Sequence, residues 1–377
     1  MSKTILILCP FFENHVGYQE VQFADALASM GHTVKVLTSD RSNLDLTKRY
    51  EDYSGKYEVK RIKKSLRIKN TFYPKEDLTG FFLNFSPQIV FSLLPGSGLP
   101  FFLLKYVNQN SKVISVFSDT TIDNRVANAK GTKGNKTIFN LLKKKWYKDV
   151  FKKSDLIMAN TNETADILKS ISLPDVAAKL RVYGLGFDSS KYFFSQQLRD
   201  EFRKKLGLSE KQKLLATVSR IYKGKPFEFW VEQVKNFLSK NKNFIYLLAG
   251  FDDTSYSKET EANLKKLNLP NLILHRFVSP EEANLIFNAA DYSLWFAPSI
   301  SIQQSMASGC FPIIPFDSTL DHLLENKVTG FYYNTFDDLK NILHTLDSHS
   351  YNREAAAGIN SKYSYQNILS KVIEEVS

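Results

Sequence analysis

Two cations in one short loop are the residues whose type and spacing point most clearly to chemistry. Arg220 and Lys225 lie in the segment SRIYKGK, which begins at Ser219 and directly follows the apolar run 214–218. If a strand ends here, both side chains project from its carboxyl end, where they can neutralise negative charge growing on a leaving phosphate group. The alternative interpretation is a pair of solvated loop charges. The position and the charge type together favour an anion-binding loop.

A glycine near the start of the chain is a second candidate for anion contact. Gly17 lies in the loop 11–18, between an apolar run and an amphipathic stretch. A glycine lets the backbone approach a diphosphate at the start of the following helix, where unpaired amides favour an anion. A plain tight turn is the alternative, because the fingerprint G-x-G-x-x-G is missing.

The third candidate is the segment 295–309, which reads WFAPSISIQQSMASG. A strand is predicted to end at Pro298, either Ser299 or Ser301 to cap the next helix, and Gly309 to terminate that helix. Gln304 on this helix can hydrogen-bond a ribose through its amide or its carbonyl group. From the residues alone, a buried helix with one polar side chain explains the pattern equally well.

Apolar runs alternate with amphipathic stretches along the whole chain. We predict strands at 4–10, 33–38, 89–93, 112–117, 156–159, 181–183, 214–219, 244–249, 272–275, 292–296 and 311–315. We predict helices at 19–30, 101–108, 137–153, 227–240, 257–267, 280–289 and 302–308. Near-continuous apolar strands separated by helices indicate parallel sheets covered on both faces. The predicted fold class is therefore α/β, with two tandem doubly wound Rossmann-like domains and the ligand in a deep cleft between them.

The length and charge of the chain set further limits. Its 377 residues fit two domains, and 50 lysines and arginines against 39 acids give a net charge of +11. Such a charge favours an anionic partner, and much of it lies in two clusters. These are Lys56, Lys60, Arg61, Lys63, Lys64, Arg67 and Lys69, and then Lys143, Lys144, Lys145, Lys148, Lys152 and Lys153. We predict contact with an anionic membrane surface, with an ordinary solvated surface as the alternative; a nucleic-acid recognition motif is missing.

Apolar runs and cysteines bear on location. The run 5–9 is far shorter than the roughly 20 residues that span a bilayer, and it reads as a first buried strand. Cys9 and Cys310 lie in apolar stretches far apart, which is typical of buried free thiols in a reducing compartment. We therefore predict a cytoplasmic protein that is peripheral at the inner face of the membrane.

The order of short motifs along the chain resembles the retaining glycosyltransferase family 4, whose members have the GT-B fold and belong to the group 1 glycosyl transferases. The resemblance covers nearly the whole chain and is densest between residues 214 and 330. The motifs are Gly17, Gly31-His32-Thr33-Val34, Gly186-Phe187-Asp188, Phe193, Ser219-Arg220, Lys225, Ala249-Gly250, Ala290-Asp291, Pro298-Ser299, Gln304-Ser305-Met306-Ala307-Ser308-Gly309 and Thr329-Gly330-Phe331.

The resemblance implies an acceptor-side domain at 1–188, a donor-side domain at 189–355 and a helix at 356–377 that crosses back to the first domain. It implies that Gly17, Ser219 and Gly250 contact the donor and that the two cations bind its diphosphate. The expected function is transfer of a hexose-type sugar from a nucleotide-diphosphate donor to a glycan or lipid-linked glycan. It would proceed with retention, in cell-surface polysaccharide or glycolipid biosynthesis, without a further cofactor and without a metal.

Three departures from the family pattern shape these expectations. The paired glutamates E-x7-E are absent: Gln304 stands in place of the second, and eight positions earlier lies Phe296. The donor-sugar contacts are therefore expected from the hydroxyls of Ser299 and Ser301, with backbone amides as the alternative. A histidine expected after strand 112–117 is replaced, which makes Asp119 the nearest candidate for a catalytic contact. Pro226 also stands where glycine is usual. The alternative function is a catalytically degenerate protein that serves as a binding or partner subunit.

Overall fold

The computed structural model describes residues 2–14, 17–42, 47–68, 71–118, 136–171, 176–317 and 319–377. The chain divides into two compact units. The first comprises Met1–Leu185 with Tyr365–Ser377, and the second comprises Gly186–Ser364. The sequence placed the division after residue 188 and the start of the returning helix at 356. The helix Arg353–Asn360 instead belongs to the second unit, and the chain returns to the first unit only at Tyr365.

The first unit is built on an eight-stranded sheet whose order is β10-β9-β8-β7-β1-β2-β4-β3. Its strands run parallel, except that β3 is antiparallel to β4. They are β1 Thr4–Leu8, β2 Thr33–Ser39, β3 Tyr53–Ser54, β4 Glu58–Ile62, β7 Ile89–Leu93, β8 Lys112–Phe117, β9 Leu156–Ala159 and β10 Leu180–Val182. A separate antiparallel pair is formed by β5 Ser65–Ile68 and β6 Thr71–Pro74.

Helices cover both faces of this sheet because its strands are apolar on both sides. Ile5 and Ile7 of β1 pack into one buried cluster, and Leu6 and Leu8 pack into the cluster on the opposite face. The helices of this unit are Gln19–Ser29, Thr79–Asn84, Leu99–Leu103, Lys136–Lys153, Asn162–Ile171, Val176–Lys179 and Tyr365–Val376.

The C-terminal helix Tyr365–Val376 is a structural part of the first unit. The ring of Tyr365 lies 5.1 Å from the ring of Phe23, centroid to centroid, in an edge-on contact. Glu375 pairs with Arg181 at 2.6 Å and accepts a hydrogen bond from the hydroxyl of Tyr183 at 2.8 Å. Apolar packing and charge therefore both hold the end of the chain against this unit.

The second unit contains a six-stranded parallel sheet with the order β13-β12-β11-β14-β15-β16. Its strands are β11 Lys213–Val218, β12 Phe244–Phe251, β13 Leu272–Arg276, β14 Tyr292–Leu294, β15 Phe311–Pro315 and β16 Phe331–Tyr333. Its helices are Gln196–Lys205, Phe227–Lys240, Ser255–Lys265, Pro280–Ala289, Ser301–Ala307, Phe336–Thr345 and Arg353–Asn360. Alternate residues of β11 again pack on opposite faces, Leu214 and Ala216 against Leu215. The predicted doubly wound α/β class is confirmed.

A buried ionic cluster fixes the middle of this sheet. Asp291, just before β14, pairs with Arg199 at 2.5 Å and with Arg203 at 3.2 Å. The same carboxylate accepts the backbone amide of Leu214 at 2.8 Å, so it joins the helix Gln196–Lys205 to the start of β11. The strand order reverses between β11 and β14, and ligands of such folds bind beyond the carboxyl ends of the strands at that point.

Candidate functional site

The loop after β11 holds a lysine that lacks an acidic partner. Lys225 is half-buried, and its Nζ donates a hydrogen bond to the hydroxyl of Ser219 at 2.6 Å. Among the described residues it forms no ion pair with a carboxylate. Burial therefore lowers the pKa of Lys225 to about 8, because the charged form loses solvation and gains no counter-charge. An anion in this place would supply the missing counter-charge.

Close packing between the ends of β11 and β12 sets the position of Ser219. Its amide donates to the carbonyl of Ala249 at 3.0 Å. Gly250 has a φ of 128°, and a Cβ built there would lie 2.7 Å from the carbonyl carbon of Ser219. A side chain at 250 is thus excluded both by the backbone conformation and by the neighbouring strand. Gly250 was expected at this site from the family resemblance alone, and here it has a packing requirement of its own.

The second predicted cation, Arg220, is exposed on the same loop. Its charge acts on Asp252, which follows β12. Burial alone would raise the pKa of Asp252, but hydrogen bonds from Thr254 and Ser257 and the charge of Arg220 outweigh that effect and lower it. Arg220 and Lys225 therefore carry positive charge on a single loop at the carboxyl end of β11.

Asp253, the neighbour of Asp252, is engaged by cations. It pairs with Arg276 at 2.9 Å and with Lys258 at 3.5 Å. Within the described ranges, no group of three or more histidine, cysteine, aspartate or glutamate residues is arranged to hold a metal ion. Metal independence remains a prediction.

The helix Ser301–Ala307 begins differently from the prediction. Ser301 is its first residue rather than its cap, and Ile300, at the cap position, has no side chain able to bond the free amides. Ser299 comes closest to a capping role, since its hydroxyl accepts the amide of Ser301 at 3.4 Å. Gln304 is buried, with 7% of its surface exposed, and its carboxamide has no hydrogen-bond partner in the part of the chain that is described. Its polar group is thus available to a ligand.

An aromatic side chain that the sequence reasoning missed lies beside the two cations. Tyr222 is 48% exposed, and Lys225 Nζ lies 6.0 Å from its ring centroid. In the sequence, Tyr222 stands between Ile221 and Lys223. Nothing in this spacing distinguishes an exposed tyrosine from one in the core. Here it adds a flat apolar surface next to the cations.

The first unit contributes a separate polar group. Gln19, at the start of the first helix, exchanges two hydrogen bonds with Asn160 at 3.0 and 3.2 Å, and Asn160 also contacts Ser118. No sequence pattern predicted this group, because its members are distant along the chain. Gly17 is exposed, and a Cβ there would meet nothing within 4 Å, so its role toward phosphate stays a prediction. Asp119 lies outside the described residues.

The predicted site residues of the second unit thus lie at the ends of three neighbouring strands, β12, β11 and β14. Ser219, Arg220 and Lys225 follow β11, and the backbone of Ser219 lies against Gly250 near the end of β12. The three remaining residues, Ser299, Ser301 and Gln304, follow β14, which pairs with β11 in the sheet. Both groups therefore lie at the carboxyl edge of one sheet, around its switch point.

Comparison with known proteins fits this geometry. Residues 199–360 match the family of glycosyl transferases group 1. Sucrose-phosphate synthase from Thermosynechococcus elongatus is 14% identical with a TM-score of 0.68, and the match covers 99% of this chain and 98% of that one. A structure of HepE from Anabaena with UDP and glucose is 14% identical with a TM-score of 0.65, over 99% and 98%.

A third similar structure is WaaG, described as a glycosyltransferase involved in lipopolysaccharide biosynthesis. It is 15% identical with a TM-score of 0.64, over 99% of each chain. Curated protein sequences contain no significant match. The chain therefore has the two-domain GT-B fold, and most of its second unit, including the loop with Arg220 and Lys225, matches the group 1 glycosyl transferases in sequence.

Proposed function

We propose that this chain is a retaining glycosyltransferase that moves a hexose-type sugar from a nucleotide-diphosphate donor to a glycan or lipid-linked glycan acceptor. The observation that carries the proposal is Lys225, a half-buried cation that is hydrogen-bonded to Ser219 and has no carboxylate partner among the described residues. Burying a charge is costly unless a counter-charge compensates it. A leaving diphosphate carries that counter-charge, and it gains more negative charge as the bond to the sugar breaks.

Each site residue has a role in this proposal. Arg220 and Lys225 stabilise the departing nucleotide diphosphate, and Gln304 binds the donor ribose. The hydroxyls of Ser299 and Ser301 contact the donor sugar. The acceptor oxygen bonds to the anomeric carbon on the face that the diphosphate leaves. The acceptor proton passes to the phosphate oxygen that departs, so charge and atoms balance. Gly17 near the phosphates and Asp119 as a catalytic contact stay predictions of the same proposal.

The structural relatives indicate which substrates to test first. The Anabaena protein was solved with UDP and glucose, which supports UDP-glucose as the first donor. The relative named for lipopolysaccharide biosynthesis supports a lipid-linked acceptor and a place in cell-surface polysaccharide or glycolipid synthesis. We infer a cytoplasmic protein that works at the inner face of the membrane.

Steady-state kinetics with UDP-glucose, either as transfer to an acceptor or as slow donor hydrolysis, test the proposal. Arg220→Ala should lower turnover by about a hundredfold or more, the usual loss for one charge-stabilising donor. Lys223→Ala is the matched control, since Lys223 is exposed on the same loop and should change turnover less than about twofold. Near wild-type turnover in the Arg220 variant would contradict the assigned role.

A second candidate function rests on Gln304. A neutral carboxamide stands where the family that the chain resembles has a glutamate. A catalytically degenerate member that serves as a binding or partner subunit would tolerate this replacement. In that case calorimetry would detect no binding of any nucleotide sugar. Alternatively, calorimetry would detect binding while the kinetic assay detected no turnover. Turnover appearing only in Gln304→Glu would favour this second function, whereas turnover in the wild-type chain would exclude it.

A further inference from the structure

An apolar groove lies on the first unit, away from the loop with Arg220 and Lys225. It runs between the helices Leu99–Leu103 and Lys136–Lys153 and has a volume of about 340 Å³. Its apolar walls are formed by Phe101, Phe102, Leu104 and Val150, and its charged rim is formed by Lys105, Asp149, Lys152 and Lys153. The apolar lining of the groove is accessible to solvent. Soluble proteins seldom expose a contiguous apolar surface of this kind unless a ligand or partner binds it.

Stacked aromatic rings make this wall rigid. The ring of Trp146 is stacked on that of Phe101, with centroids 5.4 Å apart and planes 18° from parallel. Phe102 contacts Trp146 edge-on at 5.6 Å and lies 4.9 Å from Tyr73. Mutual packing holds these side chains in place, so the groove is preformed for an apolar ligand.

The lysines around the groove form no ion pair with any described carboxylate, including Asp149 of the groove itself. Lys153 Nζ donates to the carbonyl of Leu104 at 3.1 Å, across the groove from its own helix. Lys105 and Lys152 are exposed. Lys145 and Lys148, which precede Lys152 on the helix Lys136–Lys153, are exposed as well. In the described ranges, none of the five forms an ion pair with a carboxylate. Their charge is therefore available to an anionic ligand.

The other basic cluster predicted from the sequence differs in this respect. Lys56 pairs with Asp25 at 3.7 Å, Lys60 with Asp52 at 2.7 Å and Lys63 with Glu51 at 2.7 Å. Arg61 is only 3% exposed and donates to the carbonyl of Phe12 at 2.7 Å. Much of this cluster is thus neutralised or structural, so it adds less to a surface field than its sequence suggested.

We propose that the groove receives an acyl chain of an anionic phospholipid while the surrounding lysines bind the phosphate of that lipid. The protein would thereby bind peripherally to an anionic bilayer. Apolar walls, with rim lysines that pair with no carboxylate among the described residues, match the two parts of such a lipid. No helix within the described residues is long and apolar enough to cross a bilayer. Nucleic acid would use the lysines but leave the apolar walls exposed, so the structure favours lipid.

The first test is flotation with vesicles of phosphatidylcholine alone or mixed with phosphatidylglycerol. The double variant Lys105→Glu/Lys152→Glu should lower the partition coefficient on mixed vesicles by at least about a hundredfold. The control Lys204→Glu/Lys211→Glu changes the net charge equally at exposed sites of the second unit and should lose less than about threefold. Equal losses in both variants, or equal wild-type binding to the two vesicle types, would overturn the proposal.

The second test reports on the groove itself. Trp230 and Trp295 are buried in the second unit, with 9% and 2% of their surface exposed, so quenching by lipids with brominated acyl chains should report mainly on Trp146. We expect strong quenching in the wild-type chain and little in Trp146→Phe, although both float with the vesicles.

Three further outcomes would overturn the proposal: flotation without quenching, no flotation at all, or displacement by duplex nucleic acid at equal charge concentration. Both double variants should still bind UDP-glucose like the wild-type chain. Failure of the lipid proposal is thereby separated from failure of the proposed function.

Discussion

Donor binding should take up a proton at alkaline pH, and Lys225 is the group expected to take it. Burial lowers the pKa of Lys225 to about 8 in the ligand-free protein. A bound diphosphate favours the charged form, so the pKa rises in the complex. The pyrophosphate of a nucleotide sugar is doubly esterified and does not itself titrate between pH 7 and pH 9. The pyrophosphate therefore makes no contribution of its own to the linkage in this range.

The size of the effect follows from the pKa values. With a pKa of about 8, Lys225 is about 10% protonated at pH 9, and with an ordinary value near 10.4 in the complex it is about 95% protonated. Binding should then take up about 0.85 proton at pH 9 and only about 0.1 at pH 7. The affinity should fall about tenfold, or about 1.4 kcal/mol, between pH 7 and pH 9.

The pH dependence of folding stability has the opposite sign to that of donor binding. The pKa of Lys225 in the folded protein lies below its unfolded value, so the unfolded state holds more protons between about pH 8 and pH 10. In the absence of ligand, this residue thus destabilises the folded protein most below pH 8. Its contribution to the free energy of unfolding improves as the pH rises through that window.

Calorimetry in buffers of different ionisation enthalpy measures the proton number directly. Lys225→Met should remove the proton uptake and weaken binding, and Lys225→Arg should keep binding with little pH dependence, since arginine stays charged. Lys223→Ala should behave like the wild-type chain. A wild-type uptake below about 0.2 proton at pH 9, or an unchanged uptake in Lys225→Met, would refute the reasoning.

Three further predictions concern the scaffold. Gly250→Ala should destabilise the chain by about 2 kcal/mol or more and weaken UDP-glucose binding. The control Gly358→Ala, in a helix with open space around the added Cβ, should be neutral or stabilise the chain by up to about 1 kcal/mol. Equal midpoints of the two variants in urea unfolding would contradict this. Asp291→Ala should cost about 3 kcal/mol in the same urea titration because it leaves the buried Arg203 and the half-buried Arg199 without their carboxylate, while the surface-pair variant Glu232→Ala should cost about 0.5 kcal/mol or less; similar losses would argue against the cluster. Both cysteine thiols are buried with raised pKa values, so a thiol reagent should label neither in the native state and both after unfolding, and rapid native labelling would contradict their burial.

The sequence predicted those elements best whose pattern has a single physical explanation. The strands 89–93 and 112–117 and the helices 227–240 and 280–289 have the predicted bounds. Strands buried on both faces read as continuous apolar runs, and amphipathic helices have one apolar stripe. Such patterns leave little room for another structure.

The edges and loops were harder to predict. Strand β4, with the sequence EVKRI, lies near the sheet edge and contains three charged residues, one of them the buried Arg61, so it was read as part of a charge cluster. The helix predicted at 101–108 is shorter and lies at Leu99–Leu103, because the chain leaves the helix once Leu103 and Leu104 are buried. Local patterns do not report such tertiary packing.

The candidate site was predictable only in part. The charges of Arg220 and Lys225 and their position after a strand were visible in the sequence. The missing carboxylate partner of Lys225 and the contact between Gly250 and Ser219 depend on which strands are neighbours. The hydrogen bonds between Gln19 and Asn160 likewise join residues that are 141 positions apart.

The most direct test of the central claim is a crystal structure of the chain with bound UDP-glucose. We expect the pyrophosphate within hydrogen-bonding distance of Lys225 Nζ and of the Arg220 guanidinium, at the carboxyl end of β11. A donor bound with its pyrophosphate away from both side chains would contradict the account.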